Sequence, residues 1–174
     1  DSSGSSIDNL DVIIRDTLEN FNPVVDTGVT GSGGTSGQYQ TTLTEGEYTV
    51  ELTDERYENK TIDEIGLNGD KNFTYTLNDA QYDLGFKVKD SDDNKISGVN
   101  VDIFNSSGTN VSSGTTDANG DYYESDLNYD TYDIELSDPD YNDKTKTVTL
   151  DQDKTNLDFE LTELTYQLTV NVTD

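Results

Sequence analysis

Apolar and polar residues alternate over short stretches of this chain. Residues 99–104 and 132–136 show this alternation clearly. A period of two is typical of a strand that buries one face, and the abundant Thr, Tyr, Val and Ile suit a pleated sheet. The pattern predicts strands over residues 82–89, 99–104, 109–115, 121–126, 131–137, 144–150 and 156–161.

The chain also repeats itself at a constant spacing. Tyr48 matches Tyr132, which lies 84 positions later. The same spacing relates residues 73–77 to 157–161 and residues 82–90 to 166–174. Because one spacing recurs in three separate segments, the sequence predicts two copies of one domain and the first strand of a third.

The first copy is less regular than the second. We expect its opening strand at residues 10–15, with Asp16 matching Asp90 at a spacing of 74 and about ten extra residues within 24–36. A helix over the same region stays open as an alternative, because a helical apolar stripe is present there. The members of that stripe are Leu10, Ile13, Ile14, Leu18 and Phe21.

The strands and the turns between them predict an all-β fold of tandem Ig-like β-sandwich domains. The expected organisation is a flexible or inter-subunit segment at residues 1–8, sandwich repeats at 9–79 and 80–163, and a third first strand, or donor strand, at 164–174. The joints between copies are four residues long without Gly or Pro, which restricts rotation and predicts a rod.

A family resemblance is carried by five segments that follow one another in order: 88–90, 96–101, 116–122, 132–136 and 140–141. They resemble the carboxypeptidase regulatory-like family, with its transthyretin-like sandwich, and the related Cna-B-type stalk domains. The match covers residues 81–161 well and 10–77 partly, since the first copy lacks a clear Ser-Gly-Val segment. The resemblance implies a non-enzymatic spacer, stalk or binding accessory. No Lys–Asn isopeptide triad of the Cna-B type is identified.

Acidic residues dominate the charge, with 37 Asp and Glu against 10 Lys and Arg and a net charge of −27. Such a surface repels nucleic acids and anionic membranes, which excludes both as partners. Two compatible interpretations are solvation at high salt, as in halophilic archaeal proteins, and binding of Ca²⁺. No apolar stretch approaches the ~20 residues of a spanning helix, so membrane insertion is not expected.

Two acidic turns carry the calcium hypothesis, because carboxylate and amide oxygens are the ligands that Ca²⁺ takes. The second turn lacks a later acidic ligand, since Asn128 stands where a bidentate Glu belongs. The alternative is that Asp and Asn simply form turns. The candidate ligands are Asp90, Asp92, Asp93 and Asn94 in the first turn, and Asp117, Asn119 and Asp121 in the second.

The sequons point to the cell surface or the extracellular space, whereas the absence of Cys does not prove secretion. The chain has no Cys, hence no disulfide and no thiolate metal site. Its beginning at Asp1 suggests a processed product or an excerpt of a longer protein. Five N-x-S/T sequons are candidate glycosylation sites. They begin at Asn59, Asn72, Asn105, Asn110 and Asn171.

Enzymatic chemistry finds little support in the sequence. The absence of His excludes Ser-His-Asp triads and His-ligated zinc. Paired carboxylates are uninformative in so acidic a chain, and residues 31–34 indicate a flexible loop, not a phosphate cradle. Repeated tyrosines at 48, 57, 132 and 141 are expected in the core or at corners of the sandwich, not as sugar-stacking platforms.

The favoured function is a structural module of a surface filament, stalk or fibre, with copies of itself or adjacent repeats as partners. The alternatives are an adhesin that binds glycans or a cell surface, and an accessory domain of a secreted enzyme. The strand over 166–174 has no sandwich of its own in this chain. If the protein stops there, the strand predicts donor-strand assembly; the alternative is that the chain is a fragment of a longer repeat protein. Its candidate assembly residues are Tyr166, Leu168, Val170 and Val172.

Overall fold

The computed structural model of the chain describes residues 5–18, 21–33 and 35–173. The predicted N-terminal segment 1–8, the predicted loop 31–34 and the predicted strand 166–174 each lie partly outside these residues, at 1–4, Gly34 and Asp174. Strands are the regular elements of the described chain. They are β1 (Asp11–Asp16), β2 (Val24–Val29), β3 (Gly46–Asp54), β4 (Tyr57–Leu67), β5 (Gln81–Lys89), β6 (Asn100–Phe104), β7 (Asn110–Thr115), β8 (Asp121–Asn128), β9 (Asp130–Ser137), β10 (Lys144–Leu150) and β11 (Lys154–Glu160).

The chain divides into two compact units, Asp1–Ala80 and Gln81–Asp174. The second unit is a sandwich of two sheets. One sheet has the order β10-β9-β6-β7, and the other has the order β11-β5-β8. All pairings are antiparallel except that of β5 with β11, which is parallel. The all-β sandwich prediction is confirmed, and each of the seven strands predicted between residues 82 and 161 is present.

The core of the second unit lies between its two sheets. Side chains at alternate positions of β5, β6 and β9 are fully or almost fully buried there, as expected for strands with one inward face. They are Leu84, Phe86, Val88, Val101, Ile103, Ile134 and Leu136.

The first unit has one four-stranded antiparallel sheet with the order β2-β1-β3-β4. The helical alternative is therefore wrong, because Asp11–Asp16 is a strand in the middle of this sheet. Val12 pairs with Leu52 in β3, just as Val101 pairs with Leu136 in β9. The sheet thus corresponds to β7-β6-β9-β10 of the second unit, and β1 is the counterpart of β6.

This pairing corrects the predicted alignment of the first copy. The strand at residues 10–15 was expected to match the opening strand of the second copy, with Asp16 on Asp90, but it matches the second strand. The spacing is 89 from Val12 to Val101 and 84 from Leu52 to Leu136, so the first unit has five extra residues between these strands, not ten. Alternation alone does not distinguish two inward-facing strands, whereas sheet partners do.

A buried threonine confirms the correspondence. The hydroxyl of Thr30 accepts a hydrogen bond from Leu10 N at 3.0 Å and donates one to Ile7 O at 2.7 Å. In the second unit, the hydroxyl of Thr116 accepts from the amide of residue 99 at 3.0 Å and donates to the carbonyl of residue 96 at 2.8 Å. Both threonines are buried and fasten the segment that leads into the central strand.

The Ser-Gly-Val segment of the second copy has a counterpart after all. Gly98 has a φ of 80°, and Asn9 has a φ of 61° at the equivalent place before β1. Asn is one of the few residues that tolerate this left-handed conformation, so it can stand where the second copy has glycine. The sequence Asp8-Asn9-Leu10 therefore fulfils the structural role of Ser97-Gly98-Val99.

Replacing Thr116 with Val tests this fastening. The change keeps the shape of the side chain but leaves the buried Val99 amide and Ile96 carbonyl without their partner. We expect the free energy of unfolding of the second unit to fall by about 1–3 kcal/mol in urea denaturation. Thr149→Val, at an exposed position, is the control. Equal losses in the two variants would contradict the assignment.

Candidate functional site

The first acidic turn is organised by the Asp90 carboxylate, which is buried. Its Oδ1 accepts hydrogen bonds from the amides of Asp92 at 2.9 Å and Asn94 at 2.8 Å, and its Oδ2 accepts one from Asn94 Nδ2 at 2.9 Å. The Asn94 side chain is the main cause that lowers the pKa of Asp90, and the two amides add to it. Asp93 forms an ion pair with Lys89 at 2.8 Å.

The second acidic turn has the same design. Asp117 Oδ1 accepts hydrogen bonds from the amides of Asp121 at 2.9 Å and Asn119 at 2.8 Å, and these two bonds lower the pKa of Asp117. Gly120, with a φ of 72°, completes the turn. The Asp121 carboxylate forms an ion pair with Lys87. In each turn, backbone amides thus donate to one of the carboxylates that were predicted to bind calcium, Asp90 in the first and Asp117 in the second.

In the described part of the chain, no group of three or more Asp or Glu side chains comes together in a way that could hold a metal ion. None of the described segments forms a helix suited to crossing a membrane. Calcium binding at the two turns stays a prediction.

The five sequon asparagines lie in different surroundings. Those at positions 59, 72, 110 and 171 are exposed, and Asn105 is half-buried. The Asn105 Oδ1 accepts hydrogen bonds from the Ser107 amide at 3.2 Å and the Thr109 amide at 2.9 Å, which closes the turn between β6 and β7. Glycosylation at these positions stays a prediction.

Two of the repeated tyrosines are core residues. The buried Tyr48 donates its hydroxyl hydrogen to Thr44 O at 2.9 Å, and Tyr132 donates to Asn128 O at 2.8 Å. Burial, with a smaller contribution from Asp130, raises the pKa of Tyr132 to about 12. The expected structural role is confirmed for both tyrosines. The hydroxyl donor and its carbonyl acceptor both recur 84 positions later.

A groove of about 610 Å³ opens in the first unit. Its floor contains apolar side chains of β1 and β3, including Val12, Ile14 and Val50, and its walls are residues 36–43 and 71–77. Lys71 is the single charged residue among the described residues that line it. The groove is therefore almost neutral in a chain that carries a net charge of −27.

The wall at residues 36–43 corresponds to β8 of the second unit. The Tyr39 ring packs so closely on Gly28 in β2 that no Cβ fits there, and Tyr122 in β8 packs in the same way on Gly114 in β7. Glycine in a strand often marks such a close approach. The two tyrosines thus occupy equivalent places in the two units.

The wall at residues 71–77 corresponds to β11. Just after this wall, Glu58 N donates a hydrogen bond to Asn78 O at 2.9 Å. Just after β11, the equivalent bond runs from Asn142 N to Thr162 O at 2.9 Å. In the second unit, β5 lies between β11 and β8 and pairs with both. Within the described first unit, neither wall belongs to a sheet, and the groove lies where β5 would run.

The four predicted assembly residues lie in an exposed segment. Their exposed fractions are 84% for Tyr166, 88% for Leu168, 72% for Val170 and 89% for Val172. Residues 165–173 are not paired with any strand of the described chain. The structure therefore leaves an apolar, alternating segment uncovered and brings none of its four apolar side chains into a core.

The residue before segment 165–173 makes the same backbone hydrogen bond as the residue before β5. Ala80 N donates to Arg56 O at 2.9 Å, and Leu164 N donates to Asp140 O at 2.9 Å. The donor and the acceptor of the second bond each lie 84 positions after those of the first. The chain continues into β5 after Ala80 and into residues 165–173 after Leu164, so the latter are the counterpart of β5 in sequence and in local structure.

Part of the chain matches a known family of domains. Residues 86–162 match the family model of the carboxypeptidase regulatory-like domain, which confirms the resemblance over the second unit. No curated protein matches the sequence. The extracellular location and the halophilic archaeal source stay predictions.

Solved structures with a similar fold include the Bacillus anthracis TIE protein, with 17% identity and a TM-score of 0.57 over 91% of this chain and 31% of that one. The chain thus spans about a third of that protein. Weaker similarity is found to the shaft pilin SpaA of Lactobacillus rhamnosus GG (15% identity, TM-score 0.45, 95% and 89% covered). The minor pilin of Streptococcus agalactiae gives 11% identity and a TM-score of 0.43, with 97% and 88% covered.

The pH dependence of stability tests the role of Asp90. Its lowered pKa means that the ionised carboxylate stabilises the fold above its ordinary value of 3.8, and this contribution is lost as the pH falls through the folded pKa. Asp90→Asn should lower the thermal midpoint by several degrees at pH 6, and the difference from the parent should shrink below about pH 4.

The matched control is Asp92→Asn, which removes the same charge from the same turn but leaves the three hydrogen bonds to Asp90 intact. Its difference from the parent should be small throughout the pH range. If the thermal midpoint of Asp90→Asn differed from that of the parent by the same amount at every pH, the Asp90 carboxylate would not act through its charge.

Proposed function

We propose that this chain is a non-enzymatic structural module of an extracellular filament, stalk or fibre, and that copies of it associate through their β-sandwiches. The observation that carries the proposal is the exposed segment 165–173, in which Tyr166, Leu168, Val170 and Val172 alternate with polar residues. An uncovered strand of this kind offers its backbone and its apolar face to another chain.

The charge distribution supports association through this segment. Residues 165–173 contain no charged side chain, although 27% of all residues in the chain are charged. Two copies with a net charge of −27 repel each other, and a neutral contact region keeps this repulsion smallest where the chains must meet. Screening by salt should therefore promote assembly. The adhesin and enzyme-accessory alternatives stay predictions.

Light scattering of the full chain tests self-association. The mean mass should rise above 19.2 kDa with protein concentration, and more steeply at 1 M NaCl, where the screening length is about 3 Å, than at 0.1 M, where it is about 10 Å. Leu168→Asp should abolish the increase, because it places a charge in the apolar face of the segment. A mass of 19.2 kDa under all conditions would contradict the proposal.

The control for this variant is Phe21→Asp. Phe21 is another exposed apolar residue, and it lies outside both the segment and the groove. The charge change is identical, so its assembly should equal that of the parent. Circular dichroism of both variants verifies that the fold is retained. Equal loss of assembly in the two variants would indicate a non-specific charge effect.

A further inference from the structure

We propose that residues 165–173 of one copy insert into the groove of a second copy, as the strand that β5 provides in the second unit. This inference rests on the proposed function and names the contact through which copies join. The occupant is thus a segment of the chain itself, bound between the walls 36–43 and 71–77.

The second unit shows how such a strand is held. β5 lies between two neighbours, antiparallel to β8 and parallel to β11. Its inward side chains Leu84, Phe86 and Val88 are 0%, 3% and 0% exposed. The strand thus contributes three of the sixteen buried residues in the core of this unit.

Residues 165–173 repeat the pattern of β5. At the spacing of the repeat, Leu168, Val170 and Val172 take the inward positions of β5, and Tyr166 takes the position of Tyr82. In an inserted strand, these side chains would pack on the floor of the groove, which is formed by Val12 and other buried apolar side chains of β1 and β3. Insertion therefore buries the exposed apolar side chains of residues 165–173 against an apolar floor.

Backbone hydrogen bonds at the end of β5 provide a second argument. Val88 N donates to Gly120 O at 2.8 Å, and Val88 O accepts from Ile96 N at 3.0 Å. Leu161 N donates to Lys89 O at 2.8 Å. Three groups outside β5 thus depend on this strand for their partners.

The first unit presents the same three groups around its groove. They are Gly37 O, Ile7 N and Leu77 N, and none of them has a backbone partner within the described chain. Gly37 has a φ of 70°, close to the 72° of Gly120. The amide and carbonyl of Val172 and the carbonyl of Thr173 in an inserted strand would supply the missing donor and the two missing acceptors, which satisfies polar groups that would otherwise be costly to bury.

The aromatic side chains around β5 also have counterparts in the groove. Phe86 lies between Tyr122 and Phe159, with ring centroids 5.2 Å and 4.5 Å away. In the first unit, Tyr39 and Tyr75 line the groove on its opposite walls. The smaller Val170 would enter between these two rings.

One position sets a condition on the fit. A Cβ on Gly85 would lie 3.1 Å from Thr155 Cα, so this strand approaches β11 tightly. Thr169 takes the position of Gly85, and it therefore requires the backbone at Lys71 to stand a few tenths of an ångström further away. Because the wall at 71–77 is not fixed in a sheet, it can take up this distance.

Disulfide trapping between two copies tests the inserted register. In the second unit, Lys87 lies opposite Asp121, which places Asn171 of the inserted strand opposite Gln38. The chain has no Cys, so each introduced thiol is unique. Full-length Asn171→Cys protein is mixed with full-length Gln38→Cys protein, one of them carrying a mass tag, and oxidised. We expect a cross-linked heterodimer.

The register control replaces Gln38→Cys with Gln40→Cys. Both glutamines are exposed on the same wall, but position 40 is two residues away from the predicted contact. Disulfides require Cα atoms within about 7 Å in a suitable orientation, so the heterodimer yield should be about ten-fold lower. Because each protein carries one thiol, a contact within one chain cannot produce the heterodimer.

The outcomes separate this inference from the proposed function. Equal yields at positions 38 and 40 would indicate random collision and overturn strand insertion. A mean mass that rises in light scattering without a cross-link at position 38 would mean that residues 165–173 do not fill the groove. The inference of strand insertion would then be wrong, while self-association would stand. If neither growth nor cross-link is seen, both are overturned.

Discussion

The fold depends on the strand that lies between the two outer strands of the second sheet. In the second unit, β5 fills this position, buries Leu84, Phe86 and Val88, and supplies hydrogen-bond partners to both neighbours. Without such a strand, the neighbours have no ladder and the opposite sheet has no cover. In the described first unit, a groove takes the place of the strand and its two walls belong to no sheet, although Val12 and Ile14 beneath it are buried.

Charge bears directly on the proposed contact between copies. A chain with a net charge of −27 stays soluble and resists close approach of its own copies. The groove has Lys71 as its one charged lining residue among those described, and segment 165–173 is uncharged, so the proposed contact would avoid this repulsion. The ionised residues that the sequence places in turns, such as Asp90 and Asp117, serve mainly as acceptors for backbone amides.

The sequence predicted the strands of the second unit, the constant spacing of the repeat and the buried roles of Tyr48 and Tyr132, because each leaves a local or periodic signal. It assigned residues 10–15 to the wrong strand, because two inward-facing strands of a sandwich share one alternation pattern. The groove left no signal, because it is defined by the place where the described first unit has no counterpart of β5. The distance from Leu10 to Tyr48, compared with that from Val99 to Tyr132, could have revealed the correct assignment of residues 10–15.

Hydrogen exchange of the full chain, at low and at high concentration, tests the central claim most directly. If residues 165–173 complete the first sandwich of another copy, amides in 166–172, 38–44 and 72–76 should become protected together on assembly, because all of them enter one ladder. Amides of β5 should be protected under both conditions. Assembly that leaves the amides of 38–44 and 72–76 exchanging as fast as in the dilute protein would contradict the account.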